Sequence, residues 1–123
     1  MKRDMDLIRK IALAAEDLEY GTTLERLDGV SETDFFQHVQ WMQEAGLVQA
    51  NITQFLDGAG NAVIFRLTWD GCEFADSVRD ATIWRKAKDT VIKPTGSFTF
   101  GLLRDWLRQE IMQGLPTLRN LSQ

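Results

Sequence analysis

The chain has 123 residues, 44% apolar and 26% charged with two prolines, the composition of one folded domain rather than of a disordered tail. Fourteen Lys and Arg against eighteen Asp and Glu leave a formal charge of −4, which argues against a protein that coats nucleic acid by an excess of cations. A single cysteine, Cys72, excludes an internal disulfide and any Cys-x-x-Cys zinc or redox motif, and fits a reducing, cytoplasmic setting. No apolar stretch approaches the roughly twenty residues of a membrane span. Met1-Lys2-Arg3-Asp4-Met5-Asp6 leads into no unbroken apolar segment, so no signal peptide is expected.

Ile8, Ile11, Ala12, Ala15 and Leu18 recur at helical spacing, with Arg9, Lys10, Glu16, Asp17 and Glu19 on other faces, which predicts an amphipathic helix over residues 4–20. Asp4 is suited to cap its start and Gly21 to end it. Residues 22–30 carry Leu24, Leu27 and Val30 among charges before Asp28-Gly29, so a short strand leading into a turn is expected. Ser31-Glu32-Thr33-Asp34 opens a second helix, with Ser31 accepting from the Asp34 amide and the acids at the positive helix end. Phe35, Val39 and Met42 form its apolar row, widened by Phe36, Trp41 and Ala45, and Gly46 stops it with Leu47 packing back.

From Val48 the period becomes two: Val48, Ala50 and Ile52 alternate with Gln49, Asn51 and Thr53. After a loop over Asp57-Gly58-Ala59-Gly60-Asn61, Val63, Phe65 and Leu67 alternate with Ile64, Arg66 and Thr68, which makes a hairpin. Thr68 can cap a third helix running through Phe74, Ala75, Val78, Ala81 and Thr82 toward Lys88. Lys93-Pro94-Thr95-Gly96 breaks the chain, and Ser97 is placed to cap a last helix whose stripe is Leu103, Trp106, Leu107 and Ile111, closed by Gly114-Leu115-Pro116.

Helix, short strand, helix, hairpin, helix is the order of a winged helix-turn-helix. The expected fold is therefore α+β, mainly helical with one β-hairpin: a winged-helix-like domain over residues 1–92 and a C-terminal helix and tail over 93–123 that pack on it or on a partner. Four stretches carry a narrower likeness: Met1-Lys2-Arg3-Asp4-Met5-Asp6-Leu7-Ile8-Arg9-Lys10; His38 with Glu44-Ala45-Gly46-Leu47-Val48; Arg66-Leu67-Thr68-Trp69-Asp70-Gly71; and Arg79-Asp80-Ala81-Thr82-Ile83-Trp84. Together, over about residues 1–90, they resemble an uncharacterised winged-helix-like family of unknown function found in bacteria and their phages. The resemblance implies a small protein linked to mobile elements and brings no activity or active site.

In a winged helix the segment 31–46 would be the recognition helix, which ordinarily carries cations and amides to DNA. This one has no Lys or Arg, and bears Glu32, Asp34 and Glu44; its only base-reading candidates are Gln37, Gln40 and Gln43. Arg66 is the only cation of the hairpin. Residues 21–80 hold three basic and ten acidic groups, whereas residues 81–123 hold seven and three. The basic end, with Arg85, Lys86 and Lys88 interleaved with aromatics, is thus the alternative nucleic-acid contact. Helical spacing accounts better for these residues as core or dimer-contact aromatics and as the solvated, charged faces of two helices.

Catalytic chemistry has little to work with. His38 is the only histidine, and nothing in the spacing brings it to Cys72. Glu73, Asp76 and Asp80 share a helical stripe that reads as a solvated acidic face beside Arg79, not as a metal site. Gly58 and Gly60 lie in a hairpin turn, not in a phosphate-binding loop. No catalytic residue, metal or cofactor is assigned. The expected function is non-catalytic protein binding, by self-association into a dimer together with a regulatory or phage-related partner, through Trp41, Phe55, Leu56, Leu103, Trp106, Leu107 and Ile111. The alternative is a DNA-binding transcription regulator. Leu115, Leu118 and Leu121 add apolar surface that could cover the first helix, a second copy or a partner.

Overall fold

The structure is a computed structural model that describes residues 1–93 and 98–114. The fold is α+β, and the described residues form five α-helices and a two-stranded antiparallel hairpin: α1 (Met5–Glu16), α2 (Glu32–Glu44), β1 (Val48–Gln54), β2 (Gly60–Leu67), α3 (Trp69–Val78), α4 (Ala81–Ala87) and α5 (Phe100–Gly114). Two compact units are present, Met1–Ala75 and Asp76–Gln123, and the division between them falls within α3.

In the first unit, α1 and α2 pack on each other and on the hairpin. The amphipathic rows read from the sequence form the core: Ile8, Ile11, Ala12 and Ala15 of α1, and Phe35, Val39 and Met42 of α2, are buried. Asp4 caps α1 by accepting from the amides of Asp6 (3.0 Å) and Leu7 (3.3 Å). The helix ends at Glu16, earlier than residue 20, because the amides of Asp17 and Leu18 turn back to the carbonyls of Ala14 and Ala15 in a tightened last turn. Ser31 caps α2 as expected, accepting from the Asp34 amide at 3.1 Å.

The expected strand over residues 22–30 shrinks to one point, an antiparallel bridge in which Leu24 and Ile64 exchange both backbone hydrogen bonds (3.0 and 2.9 Å). The inward face of β2 also differs. Gln49 pairs with Arg66 and Ala50 with Ile64, so Phe65 has no partner on β1 and forms a β-bulge. The bulge resets the alternation: Ala62, Ile64 and Leu67 point into the core, while Phe65, expected beside Leu67, remains 47% exposed.

Two of the sequence stretches meet where α2, the hairpin and α3 join. Gly46, at φ +77°, ends α2 in a Schellman turn, with the Leu47 amide donating to the Met42 carbonyl (2.9 Å) and the Gly46 amide to Gln43 (3.0 Å). This leaves the Gly46 and Leu47 carbonyls facing Thr68. The Thr68 amide donates to Leu47 (2.9 Å), its hydroxyl donates to the Gly46 carbonyl (2.5 Å), and the same oxygen accepts the Gly71 amide (3.0 Å). A Cβ on Gly71 would lie 1.9 Å from the Leu47 carbonyl oxygen, so no side chain fits there.

In the second unit the expected single helix toward Lys88 is two. Asp80 adopts an extended conformation and its carboxylate accepts from the amides of Thr82 (2.8 Å) and Ile83 (2.9 Å), starting α4 anew. A π-helical turn, Lys88–Ile92, follows, and α5 packs on α4 and on this turn, with Trp84, Ala87, Leu103 and Leu107 buried. Thr99 starts α5, its hydroxyl accepting from the Leu102 amide at 3.1 Å. Ser97, Pro94-Thr95-Gly96 and the tail with Leu115, Leu118, Arg119 and Leu121 lie outside the described residues.

Replacing Gly71 by Ala is expected to cost about 3 kcal/mol or more, because the clash is with backbone. Thr68→Ala is expected to cost about 1–2 kcal/mol through loss of the cap and the bond to Gly46. Urea denaturation of the purified variants checks both, and near-native midpoints would show that this junction does not hold the fold.

Candidate functional site

The hairpin tip is a tight turn: the Phe55 amide donates to Ala59 (2.7 Å), the Gly58 amide to Phe55 (3.0 Å), and the Asp57 carboxylate accepts the Ala59 amide (2.9 Å). Gly58 supplies the positive φ this needs, +89°. The turn leaves Phe55 half in solvent and Leu56 wholly in it, two large apolar side chains with no cation beside them in the turn.

Two grooves flank the Leu24–Ile64 bridge along the outer edge of β2. One, of about 540 Å³, lies toward the hairpin tip between Glu25–Leu27 and Gly60–Ala62, with Val30, Phe35, Phe36 and Phe55 as apolar walls and Glu32 at its rim. The Phe36 ring lies against Gly60 so closely that a Cβ there would meet it at 2.4 Å. The other, of about 660 Å³, lies between residues 15–23 and Phe65–Leu67, and the bulged Phe65 and exposed Cys72 line it.

Of the residues expected to form a protein interface, Phe55 and Leu56 are at the surface, and Trp41, Trp106 and Ile111 are half-buried. Leu103 and Leu107 are fully buried, so they belong to the core of their own unit and present no surface to a partner. Gln37 and Gln40 are half-buried and Gln43 is exposed.

The cations near the C-terminal end are largely engaged. Lys86 pairs with Glu110 (3.2 Å), Lys93 with Asp89 (3.3 Å) and Arg79 with Asp76 (2.7 Å), and the Arg104 guanidinium lies over the Phe100 ring at 5.7 Å. Lys88 is half-buried, and Arg85 is exposed. Such pairs contribute little stability on a surface, but each sets a carboxylate beside a charge that phosphate would need.

His38 is 2% exposed and holds two helix starts together. The Asp4 amide donates to Nε2 at 2.9 Å, and Nδ1 lies 2.7 Å from the Asp34 carbonyl. An amide can only donate and a carbonyl only accept, so the ring carries its hydrogen on Nδ1 and neither nitrogen is left for Cys72. Trp41 packs edge-on to it, centroids 5.1 Å apart. The acids of the expected stripe have separate tasks: Glu73 accepts from the Trp69 indole (2.8 Å), Asp76 pairs with Arg79, and Asp80 caps α4. Among the described residues no three His, Cys, Asp or Glu side chains are grouped to hold a metal ion. Among them, too, no helix is long and apolar enough to cross a membrane.

Every stretch that carries the sequence likeness is thus a helix terminus or a junction, and comparison places the chain in a family of unknown function. Residues 2–97 match the family described as "Hypothetical protein (DUF2513)". The chain belongs to this family. An uncharacterized protein of Haemophilus influenzae is 35% identical over 95 residues, covering 74% of this chain and 79% of its own length. No solved structure matches.

Of the residues that shape this surface, the sequence places Gly60 in the turn and Phe65 in one row with Leu67, and the role of Ala62 is not legible in it. The signal for Phe65 was faint: three bulky residues in a row, Ile64-Phe65-Arg66, where strict alternation permits one inward side chain. His38→Ala is expected to cost about 1–3 kcal/mol, since it leaves the Asp4 amide without its acceptor. Chemical denaturation checks this, and an unchanged midpoint would free His38 for another role.

Proposed function

We propose that the chain is a non-catalytic, self-associating protein-interaction module on a winged-helix scaffold, with a regulatory role tied to phage or other mobile elements. The scaffold reading is supported by the element order, with Leu24 as the remnant of the first strand, α2 in the recognition position and β1–β2 as the wing. The mobile-element association rests on the family resemblance alone.

The observation that carries protein binding is the wing tip. A wing that follows DNA is ordinarily armed with cations at its end, whereas this one ends in Phe55, Leu56 and Asp57 with no cation among them, and Leu56 is fully exposed. The first unit as a whole carries thirteen acidic against six basic residues. Exposed apolar side chains in an acidic setting favour a protein surface over phosphate. The reading as a DNA-binding regulator would rest on Arg85, Lys86 and Lys88 of the basic end.

Light-scattering mass of the wild type is expected to exceed that of a monomer, and the Phe55→Ser/Leu56→Ser double variant to return it toward one chain. A wild type that is strictly monomeric and captures no protein from its host would remove this reading. Titration against duplex DNA at low and moderate salt is the counter-test: salt-dependent binding lost in an Arg85→Ala/Lys86→Ala/Lys88→Ala variant would install the regulator reading in its place.

A further inference from the structure

The groove of about 660 Å³ is built from two departures from regular structure. On one side α1 ends at Glu16 and the chain turns through Gly21, at φ +87°, toward the bridge at Leu24. On the other the β-bulge aims Phe65 outward, away from the core that Leu67 enters. The space between them falls within the range of about 300–1,000 Å³ common to small-molecule sites. Its walls include Leu18, Phe65 and Leu67.

The charges at this groove favour a positive guest. Glu16 and Glu19 line it against a single cation, Arg66. That guanidinium is already engaged, Nε donating to the Gln49 side chain (2.8 Å) and Nη1 to the Leu67 carbonyl (3.0 Å). The surrounding unit, with thirteen acidic against six basic residues, adds to the same field. Two aromatic rings complete the lining: Tyr20 is wholly exposed and Phe65 about half. Among the described residues neither ring stacks on another ring or on a cation. The face of such a ring is the negative part of its quadrupole and attracts a cation.

We infer that this groove binds a small organic cation, its apolar body against Leu18, Phe65 and Leu67 and its positive group at Tyr20 and Glu19. The site goes beyond the protein-binding reading and is separate from the hairpin tip, since Phe55 and Leu56 form no part of its lining.

The test uses the full chain and three probes that share one apolar body and differ in charge: phenylbutyltrimethylammonium, phenylbutanol and phenylbutyrate. Calorimetric titration gives the affinities. Cys72, the chain's only thiol, lines the groove and is exposed, so its rate of alkylation by neutral iodoacetamide reports occupancy of this place. The ammonium probe is expected to bind at least about fivefold tighter than the alcohol, and the carboxylate more weakly than either. It is also expected to slow alkylation of Cys72. Tyr20→Ala, at a side chain that touches nothing the fold needs, is expected to weaken the ammonium probe about threefold or more and to leave the alcohol nearly unchanged. Glu19→Gln is expected to narrow the preference for the cation, as is added salt. Phe65→Ser is expected to weaken all three probes; if it perturbs the fold, the Tyr20 and Glu19 variants decide. No binding, a carboxylate bound as tightly as the ammonium, or binding that leaves Cys72 alkylation unchanged would each overturn the inference. Protection of Cys72 by a lysine-rich peptide and not by the small cation would overturn it too, in favour of a protein contact. A chain that self-associates through Phe55 and Leu56 while ignoring all three probes would sink this site and spare the protein-binding reading.

Discussion

The hydroxyl of Thr68 is the point on which the first unit turns. It donates to the Gly46 carbonyl at the end of α2 and accepts the Gly71 amide at the start of α3, so one oxygen closes one helix and opens the next. The geometry works only because both partners are glycines for separate reasons. Gly46 takes the positive φ that turns the chain out of α2, and Gly71 lets the Leu47 carbonyl approach without meeting a Cβ. Leu47, pulled in by the Schellman turn, is buried beside this junction and feeds straight into β1. The hairpin's position relative to α2 therefore follows from a few backbone groups, and the hairpin tip projects from a base that cannot shift without breaking them.

The same logic accounts for the other stretches that mark the family. Asp4 caps α1 through its carboxylate while its own amide donates to His38, and His38 passes the constraint to the Asp34 carbonyl in the first turn of α2. Asp80 caps α4, whose buried Trp84 lies one turn on. Each such bond contributes about 1 kcal/mol, against about 1.5–3 kcal/mol for each large core side chain. These residues thus specify where helices begin and end more than they supply stability.

What could be read from the sequence was what local rules decide. Ser31 with Asp34, Gly46 with Leu47, and the apolar rows of α1 and α2 each declare themselves within a few residues, and they stand as expected. The break at Asp80 did not declare itself, because Val78, Ala81 and Thr82 sustain helical spacing across it without a proline or glycine. The bulge at Phe65 depends on the register with β1, a long-range property that shifts every side chain beyond it. The grooves were least legible of all, since they exist only because the third strand stops after a single bridge.

These two sets of residues behave oppositely, and the contrast is what favours the hairpin as the surface proposed for protein binding. At the caps, each polar group has its partner and each glycine its steric reason, so sequence pattern and structure agree. Along the hairpin they disagree: Phe55 and Leu56 in the turn and Phe65 at the bulge of β2 are large, apolar and exposed. A solitary chain gains nothing from such an arrangement, and large exposed apolar side chains are a liability in solution. Departures from local consistency of this kind gather where a protein meets something else. The junction at Thr68 and the exposed apolar side chains of the hairpin are then complementary features, in which the first holds in place what the second presents.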